Sequence, residues 1–170
     1  LSSSSAASDV YKRQLTTLVG GGMSSRLFQR IREEMGLTYS IYTYADHSWD
    51  TGMMGTYLAV RPRNAGRAVR EVLREFRRVC EGDVTRQELD DTKEQVKGRI
   101  LLGLETSTSR MMRNARNELQ YGRHFSEREL IRRVNAVTLD DVIEVAVPAL
   151  DPAGLSAVSL GPSSGGMRSF

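Results

Sequence analysis

Cysteine is nearly absent from these 170 residues: Cys80 stands alone, so no intrachain disulfide framework is available. Histidine is almost as scarce. His47 and His124 lie far apart, and the His-x-x-Glu-His spacing that puts two zinc ligands on adjacent turns of one helix does not occur. Aromatics make up only 6%, so the core must be mostly aliphatic. No uncharged apolar run approaches the roughly 18–20 residues of a membrane span. Long blocks of one charge are missing too. The 24 basic and 21 acidic residues are interspersed, so the pI of about 9.2 does not mark a nucleic-acid-binding arm.

What is present suits one domain or a piece of something larger. Residues 1–8 are polar and of low complexity, and the next stretch, Asp9 to Gln14, reads like translated adaptor sequence. They are expected to be a disordered or non-native tail, with natural sequence beginning near Leu15 and the domain truncated at that end. Residues 162–170 read as a second tail. Leu15 to Val19 looks like the last turn of a helix or the end of a strand, stopped by Gly20, Gly21 and Gly22. Ser24 can cap a helix reaching about Met35, with Leu27, Ile31 and Met35 on one face.

Residues 38–46 and 53–60 are rich in aromatic and β-branched types and predict two antiparallel strands. Pro62 and Asn64 open a helix with an apolar stripe from Ala65 to Cys80, which makes Cys80 a core residue. Thr85 with Glu88, Ser126 with Glu129 and, more loosely, Thr138 with Asp141 have capping-box spacing. Between them lie a helix with Leu89, Val96, Ile100 and Leu104 on one face, and another whose Met111, Met112, Ala115 and Leu119 are expected in the core. Arg110, Arg113, Arg116 and Arg123 read as a solvated face. Pro148 and Pro152 should close the last helix, and Leu155 to Leu160 predicts a final strand. The order predicts an α+β, two-layer domain with a mainly antiparallel sheet packed against helices. Three strands are few for so many helices, which agrees with a truncated start.

The glycine run lacks the lysine of a phosphate-binding loop and the spacing of a dinucleotide fingerprint, so its own chemistry suggests a tight corner. No nucleophile-elbow sequence appears. One longer stretch carries more: the 25 residues from Gly20 through Arg26-Leu27-Phe28-Gln29-Arg30-Ile31-Arg32-Glu33-Glu34-Met35-Gly36 to Tyr44. With Asp50-Thr51-Gly52, Gly82-Asp83-Val84-Thr85, the run Lys97 to Glu105, Ser107 to Arg110, Leu119 to Gly122 and Ala136 to Thr138, it forms an ordered series over residues 15–161. This series resembles the second-half domain of the insulinase-like (pitrilysin, M16) zinc metallopeptidases, in particular their mitochondrial-processing-peptidase-like branch.

The resemblance implies the LuxS/processing-peptidase-like metallohydrolase fold. It also implies a zinc-bearing N-terminal half, or a separate catalytic subunit, facing this domain across a peptide chamber. Zinc would then belong to that other half, with no metal ligand and no peptidase activity in this chain alone. The family's arginine and tyrosine, seven residues apart, match Arg32 and Tyr39. The resemblance gives them substrate and transition-state stabilisation: a guanidinium offers fixed donors to a peptide carbonyl, and a phenol can donate to an oxyanion. On spacing alone, Arg32 could equally pair with a nearby carboxylate and Tyr39 pack in the sheet. Gly20, Gly21, Gly22 and Ser24 match a substrate-binding region. Glu33 and Glu34 have no histidine partner and are not candidate bases. The alternative within the family is a non-catalytic binding or scaffold subunit of a heterodimer. The expected partners are the catalytic half and a peptide substrate, with no nucleic acid and no membrane span; the expected location is the cytoplasm.

Overall fold

Alternating aromatic and β-branched side chains draw residues 38–47 and 52–60 into a hairpin. The computed structural model, which describes residues 3–47 and 52–162, forms it as β1 (Thr38–His47) and β2 (Gly52–Val60), antiparallel. Asp50 and Thr51 lie outside the described residues. Ile41 and Thr43 point into the domain, while Tyr42, Tyr44 and Tyr57 stay on the open face. Tyr42 stands opposite Tyr57 and stacks on it with ring centroids 5.1 Å apart. The Tyr44 ring lies over Gly55, where a Cβ would come within 2.6 Å of it.

The regular ladder breaks once. Thr38 pairs with Val60 and Ser40 with Ala59, which leaves Tyr39 as the extra residue of a β-bulge. The Thr38 hydroxyl fixes the irregularity by reaching the carbonyls of Ala59 and Ser40, at 2.5 and 2.9 Å.

The described residues also form six α-helices, of which the first packs on the inner face of this hairpin: α1 (Ser3–Gly20), α2 (Ala65–Cys80), α3 (Arg86–Leu102), α4 (Ser107–Tyr121), α5 (Glu127–Ala136) and α6 (Leu139–Leu150). α1 is the central one, touching β1, α3, α5 and α6. It begins at Ser3, well before Leu15, where a tail was expected. Gln14 shows why the local pattern misled. This polar residue is fully buried, and its amide donates to the Val134 carbonyl of α5 at 2.9 Å. Leu15, Leu18 and Val19 then join Ile31, Ile41, Val72, Phe76, Val142 and Leu150 in the main core, with Cys80 half-buried at its margin. Burial is the first cause that pushes the Cys80 thiol up, with Asp151 and Glu81 adding to it.

The caps follow the sequence closely. Thr85 with Glu88 and Thr138 with Asp141 both form complete capping boxes, the shorter aspartate included, whereas Ser126 caps α5 without the reciprocal bond. Gly122 ends α4 with φ of 63°.

α6 passes Pro148 and closes at Leu150, ahead of Pro152, within the stretch the two prolines mark. Two expectations fail. Residues 155–160 form no strand and are exposed throughout, since no neighbouring strand among the described residues offers them hydrogen bonds. The described sheet therefore has two strands instead of three. α4 is inverted: Met111, Met112 and Leu119 face solvent while Asn117, on the opposite side, is buried. Leu119→Ser should therefore shift stability by no more than about 0.5 kcal/mol. Ile31→Ala, at a fully buried site, should cost about 2–5 kcal/mol. Urea unfolding of the two variants separates these outcomes.

Candidate functional site

The site is built where α1 meets β1. α1 ends at Gly20 because the next strand lies against it. A Cβ on Gly20 would sit 2.1 Å from the Thr43 hydroxyl oxygen and 2.8 Å from the Thr43 backbone nitrogen. Only glycine permits that approach. Gly20→Ala should cost about 1–3 kcal/mol through overpacking against β1, measurable as a lower denaturant midpoint with the slope unchanged. The next two glycines turn the chain under α3. Arg99 and Gln95 of α3 both donate to the Gly21 carbonyl, and Gly22 leaves room for the Gln95 amide.

Beside this corner lies an open cleft of about 290 Å³, bounded by the glycine run, Met23, Phe28, residues 41–43 of β1 and Arg99. Phe28 begins a wide helical turn, Phe28–Glu34, whose Ile31 is fully buried. Arg32 lies on this turn with its guanidinium 4.6 Å from the centre of the Phe28 ring. Among the described residues its one ion-pair partner is Glu33 at 3.6 Å, and both side chains are substantially exposed.

The turn ends at Gly36, whose φ of 58° reverses the chain into β1. Tyr39 follows in the bulge. It is 87% exposed and has no hydrogen-bond or ring partner among the described residues. Arg32 and Tyr39 thus flank one short reversal and share no hydrogen bond with each other. Ser24 is placed apart from the cleft. It borders a separate cavity of about 30 Å³ with Ser25, Arg26, Glu88 and Thr92.

A charged network anchors this region, and sequence reasoning missed its centre. Arg26, its side chain 9% exposed, donates to both carboxylate oxygens of Glu88 at 2.7 and 3.0 Å and to the Asp83 carbonyl. Glu75, equally buried, lies 3.7 Å from Arg26 and accepts from Arg78 at 2.9 Å. Arg78 also binds Asp83 at 2.7 Å and so holds that carboxyl below its usual range. Burial acts to raise Glu88, but the bonds from Arg26 and from the Thr85 N–H and hydroxyl outweigh it and hold Glu88 low. The wide turn is thereby tied to α2 and α3. Nothing in the spacing of Arg26 distinguishes it from the exposed arginines around it.

The described residues do not supply a zinc site. No group of three or more His, Cys, Asp or Glu among them could hold a metal ion, and His124 is exposed.

Comparison with known proteins decides the family. The family model for the Peptidase M16 inactive domain matches residues 13–96. An uncharacterized zinc protease of Bacillus subtilis is 40% identical over 131 residues, covering 75% of this chain and 31% of its own length. One from Mycobacterium tuberculosis is 39% identical over 148 residues, covering 87% of this chain and 34% of its own. The chain belongs to the M16 peptidase family.

Within M16, the chain spans about a third of the length of these relatives. Solved structures agree on the α+β fold. A conserved protein from Enterococcus faecalis superposes with a TM-score of 0.73 at 25% identity, over 82% of this chain and 32% of that one. An M16 inactive domain from Pseudomonas fluorescens gives 0.71 at 22% identity, over 84% of this chain and 34% of that one. None of the described helices is long and apolar enough to cross a membrane.

Proposed function

We propose that this M16 chain is the substrate-positioning, C-terminal domain of a cytoplasmic zinc metalloendopeptidase that cleaves extended peptides. Zinc would be held by an N-terminal catalytic half or a catalytic subunit outside this chain. The observation that carries the reading is Tyr39: a strand residue displaced by a bulge so that its phenol stands free in solvent. Bulges re-aim side chains in this way next to active sites. Packing among the described residues offers no reason for a tyrosine there, since its ring touches no other ring among them.

The phenol can donate to the oxyanion of a tetrahedral intermediate. The Arg32 guanidinium, across the Gly36 reversal, can donate to an adjacent peptide carbonyl. Among the described residues β1 pairs only with β2, so a peptide could add to its second edge through main-chain hydrogen bonds.

The test is reconstitution. The zinc-bearing half encoded with this domain is produced separately and mixed with the chain, and cleavage of an unstructured fluorogenic peptide is followed. Cleavage should need both parts, while the chain alone should bind no stoichiometric zinc. Full activity from the zinc-bearing half alone would overturn the positioning role. No cleavage by the mixture or by the undivided parent would favour a non-catalytic scaffold subunit instead.

A further inference from the structure

We infer that the solvent face of α2 is a binding surface for the phosphate backbone of a double-stranded nucleic acid, formed by a ridge of arginines and indifferent to base sequence. The inference is independent of the peptide-positioning reading above, in which none of these residues has a role.

α2 is sharply two-faced. Ala68, Val72, Phe76 and Val79 are buried in the main core. On the opposite side Arg67, Arg70, Arg74 and Arg77 recur every three or four residues, and they are the only exposed residues of the helix. At 3.6 residues per turn they fall within an arc of about 80°, along about 15 Å of helix axis. Arg63, exposed in the turn just before the helix, continues the spacing. The two carboxylates of the helix are engaged at its flanks. Glu71 lies 3.5 Å from Arg30, and Glu75 is buried against Arg26 and Arg78. Of the five ridge arginines, Arg74 alone has a carboxylate in ion-pair range among the described residues, Glu71 at 3.9 Å. Glu81, exposed at the helix C-cap, marks the end of the ridge. Along the chain these arginines alternate with apolar and acidic residues, so no basic block appears. Helical winding is what assembles them, and the expectation of no nucleic-acid partner does not extend to this face.

Three features select the ligand. Pairing the ridge with carboxylates of an acidic protein would contribute little, since exposed ion pairs are worth about 0–1 kcal/mol each. A duplex carries about one negative charge per 1.7 Å with condensed counterions, and each neutralised phosphate releases them, so the same arginines gain more there. An anionic bilayer also attracts basic residues. The ridge, however, is a line one side chain wide and not a plane, and α2 exposes no apolar side chain to insert. The guanidinium fork suits phosphate oxygens. With no exposed aromatic or amide on the helix, bases are neither stacked upon nor read at their edges.

The test uses the full 170-residue chain and short fluorescent DNA and RNA duplexes of two unrelated sequences, followed by anisotropy. Both sequences should bind alike, with a Kd of about 1 μM near 50 mM salt and about 100-fold weaker near 150 mM, a logarithmic slope of about −4. Arg70→Gln should reduce that slope by about one. Arg67→Gln, Arg70→Gln, Arg74→Gln and Arg77→Gln together should abolish binding. Circular dichroism should stay that of the folded chain, because glutamine keeps helix propensity. The corresponding fourfold lysine variant should retain the slope, since it retains the charge. Arg86→Gln, Arg116→Gln, Arg128→Gln and Arg132→Gln together, at exposed positions elsewhere, change the net charge equally and should leave most of the affinity.

Binding of either duplex with this salt dependence, lost only in the ridge variant, supports the inference, and the ratio of the two affinities identifies the duplex preferred. Absence of binding at the lowest salt would overturn it. So would an equal loss in the two fourfold glutamine variants, which would mark a response to net charge alone. Tighter binding of poly-glutamate or of phosphatidylserine vesicles than of either duplex would also overturn it, and would assign the ridge to an acidic protein or a membrane surface.

Discussion

Tyr39→Phe in the full-length parent should lower kcat about 10²–10³-fold, the usual effect of removing one oxyanion donor. KM should change little, because the phenol's bond forms with charge that develops only in the transition state. The fold should not notice. The ring is 87% exposed and its hydroxyl has no partner among the described residues, so stability should hold within about 0.5 kcal/mol.

Arg32→Ala should also reduce turnover, with part of the loss in KM, since a guanidinium that binds a ground-state carbonyl contributes before the transition state. Arg32→Lys separates two roles. Lysine keeps the charge beside Phe28 but loses the planar fork, so activity should stay low if bidentate donation matters. Zinc content should be unchanged in all three variants. Wild-type turnover in both Tyr39→Phe and Arg32→Ala would sink the assignment.

The largest loss of stability should come from Arg26→Ala. Removing one member of a buried ion pair costs about 3–5 kcal/mol, because the partner is left charged and out of water. Here Glu75, with its side chain 4% exposed, would keep only Arg78, and Glu88 would lose a two-pronged donor. At about 2–4 °C per kcal/mol for a domain of this size, the melting temperature should fall by roughly 6–20 °C.

The effect should also depend on pH. The native pKa of Glu88 is depressed, so its contribution to stability is complete above the unfolded carboxyl pKa of about 4.3 and is lost as pH falls through the lower native value. Arg26→Ala should flatten the acid limb of the stability curve as well as lower its plateau. Arg26→Lys should recover only part, since an ammonium cannot span both oxygens of Glu88. A melting temperature within about 2 °C of wild type, less than 1 kcal/mol on that scale, would show that the network is dispensable.

What could be read beforehand was whatever has a local cause. The hairpin follows from period-two alternation, α2 from its apolar stripe, and the helix starts from Thr85, Ser126 and Thr138. Failures came where tertiary context decides. Gln14 belongs to the core through a single long-range bond, which no hydrophobicity pattern registers. In α4 the periodicity of Met111, Ala115 and Leu119 was correct for a helix but silent on which face turns inward. Leu155 to Leu160 has a strand's composition but pairs with no strand among the described residues. Of the candidate site, Arg32 and Tyr39 were placed by likeness to a family. The bulge that exposes one of them depends on register with β2, and the cleft depends on how closely Gly20 meets Thr43.

That register has a consequence for how the domain could gain or lose its chemistry. Leaving Tyr39 aside, burial alternates without fault along β1: Thr38 inside, Ser40 outside, Ile41 inside, Tyr42 outside, Thr43 inside. The tyrosine is supernumerary to the strand. Excising that single codon would close the ladder from Thr38–Val60 directly onto Ser40–Ala59 and leave every inward residue on its side. A lineage could therefore shed the phenol in one deletion, or acquire it in one insertion, while keeping the hairpin intact.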